Sequence, residues 1–182
     1  MPAAVVQINV FKLSAQLLKV DKAITKSLWR QFGASIDMLR QAIELCPKDL
    51  WNRHEKFWYI SYHCLFWLDY YLTLKPDNFK PPAPFTLSEF DASGKMPERR
   101  YRQEEILEYL HFSKKKCRDL VLSLTEETIH TPWVNETKNY TVYEILLYNM
   151  RHVQHHAAQL NMILRDEIND APKWVSVVQE DI

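Results

Sequence analysis

Glycine is nearly missing from this chain: among 182 residues only Gly33 and Gly94 lack a side chain. All-β domains turn often and place glycine at their tight corners. The shortage therefore argues against a sandwich or barrel and, with 47% apolar residues, for long helices joined by proline-marked loops. An excess of charge is missing too. Lysine plus arginine number 23 and aspartate plus glutamate 23, so no global field attracts nucleic acid or an acidic membrane, and neither is expected as a partner. The one basic run, Lys114 to Lys116 with Arg118, reads as the solvated face of a helix. Cysteines are few, odd in number and far apart (Cys46, Cys64, Cys117). That excludes a disulfide framework and suits buried, reduced thiols in a cytoplasmic protein. No window approaches about 18 uninterrupted apolar residues, so no membrane span is expected. The first ten residues carry neither the basic flank nor the long apolar run of a secretory signal.

What is present is helical periodicity over a single domain, residues 1–182. Leu17, Ile24, Leu28, Phe32, Ile36, Leu39, Ile43 and Cys46 trace the stripe of a first helix that starts at Ser14 or Asp21 and ends before Pro47. A second, unusually aromatic helix is predicted from about Asp49 to Leu74, with Phe57, Ile60, Cys64, Trp67 and Tyr71 on one side and Pro76 just beyond it. Residues 75–101 contain five of the nine prolines and read as a long crossover loop. A third helix spans Gln103 to Leu124, and a connection of about 16 residues follows. Thr141 and Glu144 then form a capping-box pattern that opens a fourth helix running to Asp166. The tail from Asn169 is expected to be irregular, with Trp174 as its packing anchor. The fold class is therefore all-α, a four-helix bundle with a long crossover between helices two and three.

Histidines carry the chemistry. His152 and His156, four residues apart, lie about 40° from each other on a helix and stack one turn above the other, as two ligands of one metal ion do. Asn149 and Gln159 share their strip, at the shoulder of the apolar stripe of Leu146, Val153, Leu160 and Leu164. On helix two, His63 lies between Ile60 and Trp67 on the apolar side, with His54 on the opposite face. His155 points away from the core, His111 shares a charged face with Glu104 and Glu108, and His130 falls in a connection. The competing reading is structural: an i, i+4 pair arises by chance, and an inward histidine is more often a hydrogen-bonded core residue than a ligand. A ferritin-like di-iron centre needs two inward Glu-x-x-His motifs and two more glutamates. Glu108 with His111 lies on a charged face and Glu127 with His130 in a loop, which disfavours it.

The placement of His63 in its aromatic run, and the fourth-helix motif of His152, His156 and Gln159, resemble the DinB/YfiT-like family of metal-dependent enzymes. The likeness extends to Pro47 at the end of helix one, the proline-rich crossover and the segment Ser123 to Glu127. Where the family often has glycine before the glutamine, this chain has Ala158, a better helix former that leaves ligation undisturbed. The resemblance implies a metal held by His63, His152 and His156. Some members resemble transferases and isomerases that use low-molecular-weight thiols such as bacillithiol or mycothiol, many have no assigned substrate, and members are often homodimers.

Three neutral imidazoles leave a divalent ion its full charge and an open coordination position, the pattern of catalytic sites. Bound water then ionises near neutral pH and a substrate thiol is held as thiolate. Zinc or nickel leads, with iron and manganese as further candidates. Asn149, Gln159 and Asp69 are the candidates for orienting the imidazoles, while Tyr59 and Tyr70 read as core. The expected activity is thiol S-transfer or hydrolysis on a small molecule. The alternative from another class is a non-catalytic bundle whose histidines or metal are structural or support a dimer. Asn135 and Asn139 open glycosylation sequons to which no function is assigned.

Overall fold

A computed structural model describes residues 20–180. The expected start at Ser14 and the stripe residue Leu17 lie outside that range. Helix α1 runs Lys22–Leu45, capped by the Asp21 carboxylate, which accepts from the Ala23 amide at 2.6 Å. A cap of this kind contributes about 1 kcal/mol by satisfying an otherwise unpaired donor. Ile24, placed on the buried stripe by periodicity, is 44% exposed; the rest of the stripe from Leu28 onward is buried.

The expected second helix is two. Helix α2 covers Lys48–Arg53 and α3 covers Glu55–Tyr71, broken at His54, whose backbone is extended at φ −95° and ψ 96°. His54 is thus a junction residue rather than a member of an opposite helix face. The crossover contains two short 3₁₀ turns, Pro76–Asn78 and Ser88–Phe90. It is no bare loop: Phe79, Phe85 and Tyr101 are buried, and Phe85 stacks on Tyr109 with centroids 4.4 Å apart.

Helix α4 spans Gln103–Ser123, opened by the Glu105 carboxylate, which accepts from the Arg102 amide at 2.8 Å. The connection after it is more ordered than its sequence suggests. It holds α5, Glu126–His130, and a two-stranded antiparallel hairpin of β1, Pro132–Val134, and β2, Asn139–Thr141, with Trp133 opposite Tyr140. Helix α6, Val142–Ile168, begins where expected, with Thr141 Oγ1 accepting from the Glu144 amide at 3.1 Å, and ends at Asn169 in the left-handed conformation, φ 53°.

The four long helices close a ring in which α6 and α4 each pack against both α1 and α3. The helix carrying His63 therefore lies directly against the helix carrying His152 and His156. The tail is anchored differently from expectation. Trp174 is 70% exposed, while Val178 is buried against α1 at Gly33. A Cβ at Gly33 would come within 2.8 Å of a Val178 methyl, so only glycine admits this close approach. The Val178 amide bonds the Arg30 carbonyl at 3.0 Å, and the Trp29 indole donates to the Glu180 carbonyl at 2.8 Å. Cys46, Cys64 and Cys117 are buried and free. No helix among the described residues is long and apolar enough to cross a membrane.

Candidate metal centre

Position 63 of α3 faces α6, and its imidazole meets the stacked pair across the interface. Ring centroids are 4.9 Å apart for His63 and His156, 5.7 Å for His63 and His152, and 4.5 Å for His152 and His156. One ring nitrogen from each lies within 4.8 Å of the others, and no other group of three His, Cys, Asp or Glu side chains among the described residues converges in this way. A triangle of side 4.8 Å has its centre about 2.8 Å from each corner. Inward shifts of about 0.7 Å bring the nitrogens to the zinc–imidazole distance of about 2.1 Å.

The second nitrogens show how the rings are oriented. Gln159 Oε1 accepts from His156 Nδ1–H at 2.7 Å, as the shared strip on α6 predicts. His63 Nδ1–H donates to Glu89 Oε2 at 2.6 Å. Both bonds leave Nε2 as the basic nitrogen of its ring. His152 Nδ1 is buried and has no hydrogen-bond partner. It is one of six such side-chain atoms among the described residues, and the one that belongs to the three converging imidazoles; a missing ligand or ion is one of the usual reasons for such an orphan.

Two of the three expected orienting residues do other work. Asp69 is six positions beyond His63, about 120° further round the helix, and so faces α4. Its carboxylate accepts from Tyr109 Oη at 2.9 Å and from Lys116 Nζ at 2.5 Å. Asn149 is fully buried but gives its amide N–H to the Leu68 carbonyl at 3.0 Å, with no bond to an imidazole. The residue that sequence reasoning missed is Glu89, whose side chain is 5% exposed. It lies 26 positions from His63 in the crossover, and periodicity offers no signal for a contact across a loop. Glu89 also accepts from the Trp67 indole at 3.1 Å and bonds the Tyr59 hydroxyl. Neighbours fasten its turn to α3: Tyr62 Oη lies 3.0 Å from Ser88 Oγ and donates to the Thr86 carbonyl at 3.1 Å.

The electrostatics keep the pair on α6 uncharged. Burial, reinforced by the neighbouring imidazoles, pushes His152 down to about 3. Burial also brings His156 down to about 4, against the opposing hydrogen bond to Gln159. Burial of Glu89 works to raise its pKa, but the hydrogen bond and charge of His63, then Trp67 and Tyr59, win and hold it below the usual carboxylate range. A neutral pair on α6 near an ionised carboxylate suits a cation, which binds deprotonated ligands.

The other histidines stay apart. His155, His111 and His130 are exposed, as are Glu108 and Glu127, which removes the di-iron alternative. Beside the cluster opens a cavity of about 560 Å³ whose walls include Trp67, Tyr71 and Glu89. Trp67 and Tyr71 are ring neighbours of His63 and His152 at 6.2 and 6.1 Å. Tyr70, read as core, also lines it.

Searches of curated proteins and of solved structures gave no match. The family model of the DinB superfamily matches residues 31–160, a stretch that includes His63, Glu89, His152 and His156, and the chain belongs to that superfamily.

Proposed function

We propose that this protein binds one divalent transition metal through His63, His152 and His156 and uses it on a small molecule, as a thiol S-transferase or a hydrolase. The observation that carries the reading is the convergence of three imidazole nitrogens within 4.8 Å with no carboxylate among them. A structural site closes with four protein ligands, whereas three leave a position open. The adjoining cavity, which shares Trp67, Tyr71 and Glu89 with the surroundings of the cluster, is where a substrate would sit. When bound, such an ion supplies Lewis acidity, which hydrolysis and thiol transfer both require.

The chain's own residues orient and shield. Gln159 and Glu89 fix two rings so that Nε2 is presented, and a carboxylate behind His63 raises the basicity of that ligand. Tyr71 and Trp67 wall the cluster on the cavity side. Zinc and nickel are the leading metals, since imidazole suits both, with iron or manganese as alternatives. Three buried free thiols fit a reducing cytoplasm. A homodimer completes the reading, to be tested by light scattering on the purified chain.

The decisive experiment is elemental analysis of untagged protein, wild type beside His152→Ala. About one equivalent of transition metal in wild type, lost in the variant, is the expected result. No metal in either, even after incubation with zinc, nickel, iron and manganese, would sink the metalloenzyme reading and leave a helical bundle with unexplained histidines.

A further inference from the structure

The cavity beside the histidines has one feature that metal binding does not use. Its lip is the β1–β2 turn, residues 135–138, and this turn is locked. Asn135 Oδ1 accepts from the Thr137 and Lys138 amides at 3.0 and 2.8 Å, and the Asn135 amide bonds the Lys138 carbonyl at 3.0 Å. Asn135 Nδ2 then donates to Tyr70 Oη at 3.2 Å, tying the turn to α3. The lock delivers Lys138 to the cavity wall. Its ammonium lies 5.7 Å from the centroid of the Tyr71 ring and 5.2 Å from that of Tyr148, with a 3.5 Å contact to Thr137 Oγ1 and no carboxylate partner among the described residues.

Charge placement decides what this lysine is for. Asp77 and Glu136 also line the cavity, but both are exposed and without a partner among the described residues. Water screens charges placed so. Lys138 is half-buried on the faces of two tyrosines, where a charge acts at greater strength. Glu89 is already engaged by His63, Trp67 and Tyr59. Lys138 is thus a half-buried positive charge at the cavity wall with no carboxylate paired to it among the described residues, and an anion in the cavity supplies the missing partner. The walls supplied by Trp67, Tyr71 and Phe90 suit a flat apolar body.

We propose that Lys138 is the anion-recognition residue of this cavity and that its ligand is a small molecule with an aromatic or flat apolar body and one carboxylate or phosphate group. The proposal deepens the metal reading above by naming the class of substrate, and it rests on that reading only for what happens after binding. Lys138 is a specificity residue: it grips the anionic end while the rings hold the body.

The test is calorimetric titration of wild type, Lys138→Met and Lys138→Arg with phenyl phosphate, benzoate and benzylamine, each protein metal-free and again after zinc loading. In metal-free wild type at least one of the two anions should bind tenfold or more tighter than benzylamine, and which of them does so identifies the anion. Lys138→Met should lose at least tenfold, while Lys138→Arg stays within about threefold, because it keeps the charge. Benzylamine binding as well as the anions, no anion binding to metal-free wild type, or an unchanged Lys138→Met would overturn the proposal. Anion binding that appears only with zinc and ignores Lys138 overturns it as well. If no protein takes up zinc but the metal-free anion binding depends on Lys138, the metal reading fails and this one stands.

Discussion

Two polar clusters flank helix α3, and they are built in opposite ways. On the side facing α4, Asp69 is 1% exposed, and its carboxylate is bonded by Tyr109 and by Lys116, which also reaches the Asp69 carbonyl and the Thr73 hydroxyl at 3.0 and 2.7 Å. Opposite charges are paired, and both side chains that donate to the carboxylate are tied to it. On the side facing α6, three imidazoles crowd together, two of them held neutral, and a buried nitrogen of His152 has no partner. The first cluster is complete within the chain and serves the fold. The second is left incomplete by the chain, and an incomplete buried polar group is where function is to be sought. Charge and burial alone do not separate the two; satisfaction does.

The contrast can be broken at its strongest point first. Replacing His152 with alanine should reduce bound metal from about one equivalent to near none while the metal-free fold persists, checked by elemental analysis and circular dichroism. Replacing Lys116 with methionine should do the reverse. It strands Asp69 and should cost about 3 kcal/mol of stability in urea unfolding, within the range for removing one member of a buried pair, with metal content unchanged. A loss of metal in Lys116→Met would show that the two clusters are not separate.

Finer variants sharpen the comparison. Glu89→Gln keeps the shape but removes the charge behind His63 and should weaken metal affinity about tenfold or more, read by competition with a chromophoric chelator. Acidity gives the smallest effect. His152 is held near 3 in the fold against an ordinary 6.5, so on acidification the unfolded chain binds that proton first. Stability of metal-free protein should be level above 6.5, fall as pH drops from there toward 3, and lose about 1 kcal/mol to this group between pH 6.5 and 5.5. Metal-free His152→Ala should show a shallower slope across the same window.

How much of this was legible beforehand depends on whether a contact is local. His152, His156 and Gln159 lie on one helical strip, so spacing alone brings them together, and the apolar run around His63 marks an inward face. The Thr141 cap, the ends of α4 and the bundle itself follow from periodicity for the same reason. Asp69 is near His63 in sequence but not in space, because six residues turn a side chain well away from its neighbour. Glu89 and Lys138 were invisible because each reaches the site from a connection, whose path no repeat describes. The hairpin was missed because its strands are three residues each, too short for alternation to register. The break at His54 is set by backbone geometry at one residue, and neither proline nor glycine announces it. Trp174 is the largest side chain of the tail, but the tail is seated by shape, and the smaller Val178 fits the notch at Gly33.

That notch makes positions 33 and 178 share one volume. Across related chains the two are expected to vary together: alanine or serine at 33 should accompany alanine or glycine at 178, and a chain with a bulky residue at 33 should lack the seated tail altogether. A survey of homologues could read this trade from sequence alone, and it would tell which relatives seat the segment after their last helix on α1.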